Sequence, residues 1–242
     1  MPVIDAHTLF GFWPHRRSDI SAETLVRLLR QHEISAALTL STTGIFADFL
    51  RGNEETVSLC QKSGKLLLPV GTVDPRRYVG SLEEIDKRVE QGVRIWRLFP
   101  ELQGWPLATR PVNAIFSRLA ERGCTLLINA SQPGEPSQVA ERTAPMKLTT
   151  VLLGVTNLLL GELVAVLDEA PHCWIETRRM ADPQVVRALG QRFGVDRLVF
   201  GSAAPLQYVS SALLPLKNCG LAEEQLAKIL GDNIKSRLAG GA

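Results

Sequence analysis

The opening residues Ile4-Asp5-Ala6-His7-Thr8-Leu9 set a carboxylate and an imidazole two positions apart. In an extended chain alternate side chains share a face. Asp5, His7 and Leu9 are therefore expected on one side, and Ala6 and Thr8 on the other. A paired nitrogen site for a metal would need a second imidazole at position 9, where Leu9 stands, so this strand supplies at most one nitrogen ligand. The plainer alternative is a buried histidine hydrogen-bonded to Asp5 or to a neighbouring strand. The chain has only four histidines. His32 falls near the end of a helix pattern, His172 precedes a strand, and His15 lies in the first long loop and could approach the mouth of the fold.

Two further stretches carry charge where an interior would not choose it. In Arg94-Ile95-Trp96-Arg97-Leu98-Phe99, Trp96 and Leu98 suit contact with helices, which leaves Arg97 facing inward. In Cys173-Trp174-Ile175-Glu176-Thr177-Arg178, Cys173, Ile175 and Thr177 face the helices, so Trp174, Glu176 and Arg178 face inward. Desolvating an ion costs several kcal/mol unless it is paired. The interior is thus expected to hold Asp5 and Glu176 against Arg97 and Arg178, with His7 among them. Either this is a structural ion-pair network, or it is an anion-binding floor in which the arginines fork a carboxylate or phosphate. Asn129, Thr156, Asn157 and Ser202, at later strand ends, can hydrogen-bond a ligand but are poor metal ligands. Asp74, before Pro75, reads as a turn-former. There is no Gly-x-Ser-x-Gly elbow and no His-Glu-x-x-His, and nothing in the sequence brings Ser202 to His7 as a nucleophile pair.

These residues sit in a chain of 242 residues, 45% apolar and 21% charged, with a formal net charge of +2. That balance gives no reason to expect a nucleic-acid or membrane surface. The cysteines Cys60, Cys124, Cys173 and Cys219 lie tens of residues apart without a Cys-x-x-Cys pair. The spacing argues against a zinc knuckle or disulfide scaffold and for reduced thiols, so a cytoplasmic location is expected. The apolar stretch from Val151 to Leu167 is broken by Thr156, Asn157, Gly161 and Glu162 and is too short to span a bilayer.

Short β-branched or Leu-rich runs alternate with helical patterns along the whole chain. Strands are expected at Val3–His7, Ala36–Leu40, Leu66–Val73, Val93–Leu98, Thr125–Ala130, Thr150–Val155, Cys173–Thr177 and Leu198–Gly201. Helices are expected at Ala22–Gln31, Glu54–Lys62, Leu82–Gln91, Val112–Arg122, Glu162–Glu169 and Gln184–Arg192. Ser21 is expected to cap the first helix. Ser81, with Glu84 three residues on, is expected to form a capping box, and Gly92 and Gly123 to close helices. A strand–helix repeat of about 28 residues predicts successive right-handed βαβ units and a single α/β domain over 1–242, a closed (β/α)8 TIM barrel. The long loops Gly11–Ser18, Thr42–Gly52 and Pro100–Arg110 would sit at its C-terminal mouth. Phe46 and Phe49, in the second loop, suit either a lid or a homodimer interface.

The chain resembles the amidohydrolase superfamily, specifically the amidohydrolase-2 branch that includes aminocarboxymuconate semialdehyde decarboxylase. The blocks that carry the resemblance are IDAHTLFG, LLLPVGTVDPRR, GVRIWRLFPE, RLVFGSAAP and KILGDNIKSRL. The resemblance implies a TIM barrel with an extra C-terminal helix. It also implies a metal held by a His-x-His pair on the first strand and by histidines at the ends of strands five and six. An Asp in a Gly-Ser-Asp-x-Pro turn would serve as ligand and general base. Here His7 matches the first of these, while Leu9, Asn129, Val155 and Ala203 stand at the others. The expectation is a site without metal or other cofactor that binds a small anionic molecule through Arg97, Asn129, Arg178 and Ser202. The alternative is a metal-independent hydrolase, lactonase or lyase acting on a small carboxylated substrate, with His7, Asp5 or Glu176 as acid–base groups. A third reading is a metal hydrolase with Asp5, His7 and Glu176 as an irregular ligand set.

Overall fold

The computed structural model describes residues 2–15 and 17–238; Met1, Arg16 and residues 239–242 lie outside them. Eight parallel strands pair in sequence order: β1 Ile4–Asp5, β2 Ala36–Thr39, β3 Leu67–Gly71, β4 Ile95–Leu98, β5 Thr125–Asn129, β6 Thr150–Leu153, β7 Cys173–Glu176 and β8 Leu198–Val199. The ring closes where the first segment meets the last. Ala6 N–H donates to Phe200 O at 2.9 Å, Leu9 N–H to Ala204 O at 3.1 Å, and Ala203 N–H to His7 O at 2.7 Å. The result is the (β/α)8 barrel that the alternation predicts.

The helices of the outer layer are α1 Ala22–Gln31, α2 Thr43–Phe46, α3 Phe49–Lys62, α4 Ser81–Glu90, α5 Pro100–Gln103, α6 Arg110–Glu121, α7 Glu135–Thr143, α8 Leu160–Glu169, α9 Pro183–Phe193 and α10 Val209–Lys217. Ser21 caps α1 as expected, accepting from Thr24 N–H at 3.2 Å. Gly92 and Gly123 follow helices with φ of +91° and +63°, the left-handed turn that glycine adopts without steric cost.

The capping box at Ser81 is not formed. Gly80, at φ +86°, precedes the helix, and the Ser81 hydroxyl donates to Arg77 O. Glu84 instead turns inward to Arg88 Nε at 2.7 Å and Asn53 Nδ2 at 3.0 Å. Asn53 in turn clamps both backbone groups of Thr72, so this buried network ties α3, β3 and α4 together. Helix α7 has no counterpart in the sequence reading. It buries Pro136, Val139, Ala140 and Thr143, a stripe too small and polar to stand out by hydrophobic period.

Parity along the strands divides the apolar residues as expected. Trp96, Leu98, Cys173 and Ile175 pack outward against the helices, while Ile95, Phe99, Leu127, Val151 and Trp174 fill the barrel. The C-terminal segment, a π-helical turn at Lys228–Asp232 followed by α11 at Asn233–Ser236, seals the bottom by inserting Ile234 among the inner residues. At the opposite end Ile45 of α2 descends among Leu9, Leu40 and Phe99. Phe46 stands above them, half out of the protein, with its ring edge-on to Trp13 at 5.2 Å. Phe49 corrects the expectation of an exposed pair. At 4% exposure it is a core residue at the start of α3, because the helix turns its first residue inward.

Candidate active site

The site is built at the upper end of the barrel by β1, β4 and β7. Regular alternation would put Asp5 and His7 on one face, but the chain bends at Ala6. Ile4 and Leu9 therefore both belong to the inner cluster, while Phe10 packs outside. The bend is held by Asp5 itself, whose Oδ1 accepts from His7 N–H at 3.0 Å and Ser202 N–H at 2.9 Å. Asp5 Oδ2 accepts from the Ser202 hydroxyl. Asp5 thus joins the first strand to the last rather than presenting a free carboxylate. Burial raises its pKa to about 7, against the lowering effect of the Ser202 and His7 hydrogen bonds.

His7 is released by the bend into the interior, where its Nδ1 lies 2.7 Å from Glu176 Oε1. Glu176 is completely buried, and its oxygens accept from three donors: His7 Nδ1, Arg178 Nε at 3.3 Å and Gly154 N–H at 3.0 Å. Burial alone would raise its pKa, but the His7 and Arg178 charges and these hydrogen bonds hold it below the ordinary carboxylate value. An ionised carboxylate only accepts, so the proton between the two residues belongs on His7 Nδ1. His7 Nε2 has no hydrogen-bond partner among the described residues. Burial first, and then the Arg97 charge, lower the imidazole pKa to about 4 despite the pull of Glu176.

Arg97, on β4, completes the cluster without joining its hydrogen bonds. It is 5% exposed, and its Nε and Nη1 are buried with no partner among the described residues. Its guanidinium lies over the Phe99 ring, 4.6 Å from the centroid. Burial, only partly offset by Glu176, lowers its pKa to about 9, which leaves it charged at neutral pH. Arg178 reaches in the other direction to Gln207 Oε1 at 2.8 Å. Asn129 ends β5 with its Oδ1 unpartnered, beside a depression of about 340 Å³ that Trp105, Glu135 and Gln138 also line. The Ser202 hydroxyl, engaged with Asp5 and with Ala204 N–H at 3.0 Å, serves the β1–β8 seam.

The structure brings His7, Glu176, Arg178 and Arg97 together as expected, while Asp5 lies behind His7 in the β1–β8 seam because the bend at Ala6 breaks the parity. His172 bonds Thr143 away from the site, at 3.0 Å. His15 joins the Trp13–Phe46 aromatic group at the mouth. Two contributors were not singled out in the sequence: Gly154, whose amide fixes Glu176, and Gly201. A β-carbon on Gly201 would stand 2.6 Å from Glu176 Oε1 and 2.9 Å from His7 Cβ. The one available signal for the second was glycine at the end of a strand, where a ligand or another chain segment approaches closely.

The amidohydrolase family model Amidohydro_2 matches residues 36–235. No curated protein matches the chain significantly. Among solved structures, a protein assigned as a 2-pyrone-4,6-dicarboxylic acid hydrolase from Pseudomonas putida is 18% identical, with a TM-score of 0.77 over 100% of this chain and 98% of its own. A second protein so assigned, from Acinetobacter baumannii with citric acid bound, is 15% identical (TM-score 0.75; 99% and 100% covered). The 5-carboxyvanillate decarboxylase of Novosphingobium aromaticivorans, complexed with manganese and a nitrobenzoic acid, is 16% identical (TM-score 0.74; 98% and 96% covered). At these identities the likeness is one of fold.

Proposed function

The chain belongs to the amidohydrolase family, and from that premise we propose that its barrel binds a small carboxylated molecule through Arg97, with Arg178 and Asn129 beside it, and does so without a divalent metal. The observation that carries this reading is Arg97, a buried charged guanidinium whose Nε and Nη1 are left unpartnered. An unpaired buried ion is costly, and a carboxylate supplies both the opposite charge and an acceptor for its donors. The ligands bound in two of the structural neighbours, a citric acid and a nitrobenzoic acid, are of the same chemical kind.

The donor set does not suit a metal ion. Glu176 already accepts from three donors, and the Asp5 oxygens are taken by Ser202 and the His7 amide. His7 Nδ1 carries the proton shared with Glu176. Only His7 Nε2 remains, with two guanidinium groups near enough to depress its basicity. Among the described residues no three His, Cys, Asp or Glu side chains are grouped to hold an ion.

Thermal denaturation with succinate, citrate and inorganic phosphate tests the reading. A ligand that binds only the native state at one hundred times its Kd adds about 2.7 kcal/mol of stability. Succinate or citrate is expected to raise Tm in the wild type and not in Arg97→Met. An equal rise in both proteins, or none in the wild type, overturns the proposal.

A further inference from the structure

We infer that the N-terminal end of the barrel, opposite Arg97, holds a second site, for one tetrahedral oxyanion bound by Arg237 and Lys147 over Thr125 and Thr149. Its ligand is inorganic phosphate or the phosphoryl group of a small phosphomonoester. The site shares no residue with the carboxylate site above and does not depend on it.

Strand alternation assembles it. Leu127 and Val151 fill the barrel, so Thr125 and Thr149, two residues before each, fall on the same inner face at the lower ends of β5 and β6. Thr149 continues the ladder below β6 by accepting from Leu126 N–H at 2.9 Å. Trp174 holds the corresponding inner place on β7. The C-terminal segment passes beneath, and Arg237, the residue after α11, lays its guanidinium over the Trp174 ring, 4.7 Å from the centroid. Between these elements lies a hollow of about 100 Å³, lined in part by Cys124, Thr125, Lys147, Thr149 and Arg237.

The hollow collects positive charge, and its walls do not neutralise it. Arg237 Nε is buried without a hydrogen-bond partner. The Trp174 ring face attracts the cation, but its indole offers no acceptor for that N–H. Among the described residues neither Arg237 nor Lys147 pairs with a carboxylate, and no acidic side chain lines the hollow. Arg94 and Arg122 lie close enough to Cys124, in its wall, to act on it electrostatically. The nearby carboxylates Asp86 and Glu121 are already held by Arg122 and Arg118. Lys147 is exposed at the rim, which gives an anion a way in from solvent and a flexible ammonium as its second partner.

The same arrangement selects the shape of the anion. Arg237 and Lys147 come from different elements, and the two threonines stand on the strands between them. Donors spread in this way need acceptor oxygens that diverge from one centre, as in phosphate, whereas the two oxygens of a carboxylate share a plane and one direction. A phosphate dianion also matches the two cations in charge. A hollow of this size takes one such group, so the rest of a phosphomonoester would stay outside, beside Lys147.

The test titrates inorganic phosphate into full-length, nitrogen-15-labelled protein at constant ionic strength. Saturable shifts are expected at the amides of Cys124, Thr125, Lys147 and Thr149 and at the Trp174 indole N–H. Shifts centred on Gly154 and Gly201 at the other end of the barrel, or no saturable shift, overturn the inference. Lys147→Gln changes an exposed side chain and is expected to fold as the wild type does. It should weaken phosphate binding roughly 10- to 100-fold, the range for hydrogen bonds to charged groups, and Arg237→Gln at least as much. Equal affinity in Lys147→Gln and the wild type overturns the inference, as does acetate binding as tightly as phosphate. Glycerol phosphate separates the two sources of the ligand: affinity equal to that of phosphate supports a phosphomonoester, and affinity more than tenfold lower supports the free ion.

Discussion

His7 and Glu176 meet at 2.7 Å inside the barrel, although 169 residues separate them in the chain. Neither is exposed enough for water to replace the other, so each depends on its partner. Replacing Glu176 with Leu would remove the carboxylate that Arg178 pairs with among the described residues and the acceptor for His7 Nδ1. Breaking one side of a buried pair costs about 3–5 kcal/mol. Urea denaturation of Glu176→Leu should show a loss of that size, and a loss below 1 kcal/mol, on the order of a surface pair, would contradict the buried pairing.

Gly201 makes this meeting possible, because a methyl group there would press on Glu176 Oε1 and His7 Cβ at 2.6 and 2.9 Å. Gly201→Ala is expected to lower stability by about 1–3 kcal/mol, the usual range for overpacking, and to weaken succinate binding as the pair is displaced. Gly161, in α8, has no heavy atom within 4 Å of the equivalent position and no positive φ. Gly161→Ala should therefore raise stability by about 0.4–1 kcal/mol through the unfolded chain. Chemical denaturation of both variants checks the contrast.

Asp5 makes stability depend on pH. Its folded-state pKa of about 7 lies above the ordinary 3.8, so the native state holds this proton more tightly than the unfolded chain does. Its contribution is fully present below pH 3.8 and is lost as pH rises through 7, by about 4 kcal/mol at 1.36 kcal/mol per unit. His7, lowered to about 4, acts in the opposite sense. Its contribution is present above 6.5 and lost as pH falls through 4. The two largely cancel between pH 4 and 6.5, so Asp5→Asn, which keeps an acceptor for the Ser202 and His7 amides, should expose a rise in stability with pH across that range. Urea midpoints across that range measure it, and an unchanged slope in the variant would assign the pH dependence to other groups.

Metal content is a direct check on the donor set. After overnight exposure to zinc and manganese followed by desalting, plasma mass spectrometry should find far less than one equivalent per chain. Near-stoichiometric metal would mean that Asp5, His7 and Glu176 rearrange around an ion.

The two phenylalanines of the second loop should separate cleanly. Phe49→Ala empties a core position and is expected to cost about 3–5 kcal/mol. Phe46→Ala, at a position 38% exposed, removes its ring contacts with Trp13 and His15, worth about 0.5–1.5 kcal/mol each, and should cost less than Phe49→Ala. Equal losses in Tm would show that the two share one environment.

The barrel was legible because each βα unit repeats its own pattern: Trp96 and Leu98 outward with Arg97 inward is a statement about alternation alone. The same rule found Glu176 and Arg178. It failed at Asp5, where a side-chain bond to the His7 amide bends the strand and shifts the parity. It failed again at Glu84, which local spacing assigns to a helix cap but which Asn53 and Arg88, from a different helix and a later turn, draw inward. In each case a local bond is joined by a distant one, Asp5 to Ser202 and Glu84 to Asn53, and no window of neighbouring residues contains the distant partner.

The Asp5–Ser202 seam spans 197 residues, nearly the whole chain. Bringing such distant points together has a loop entropy that only the finished core offsets. The seam also holds the bend that releases His7 toward Glu176. A growing or partly folded chain can therefore contain six or seven finished strands and still have no site, because the first residues wait for the last strand. Carboxylate binding would then report the completion of folding itself, and the ligand would act on the final step of assembly as a latch acts on a closing ring.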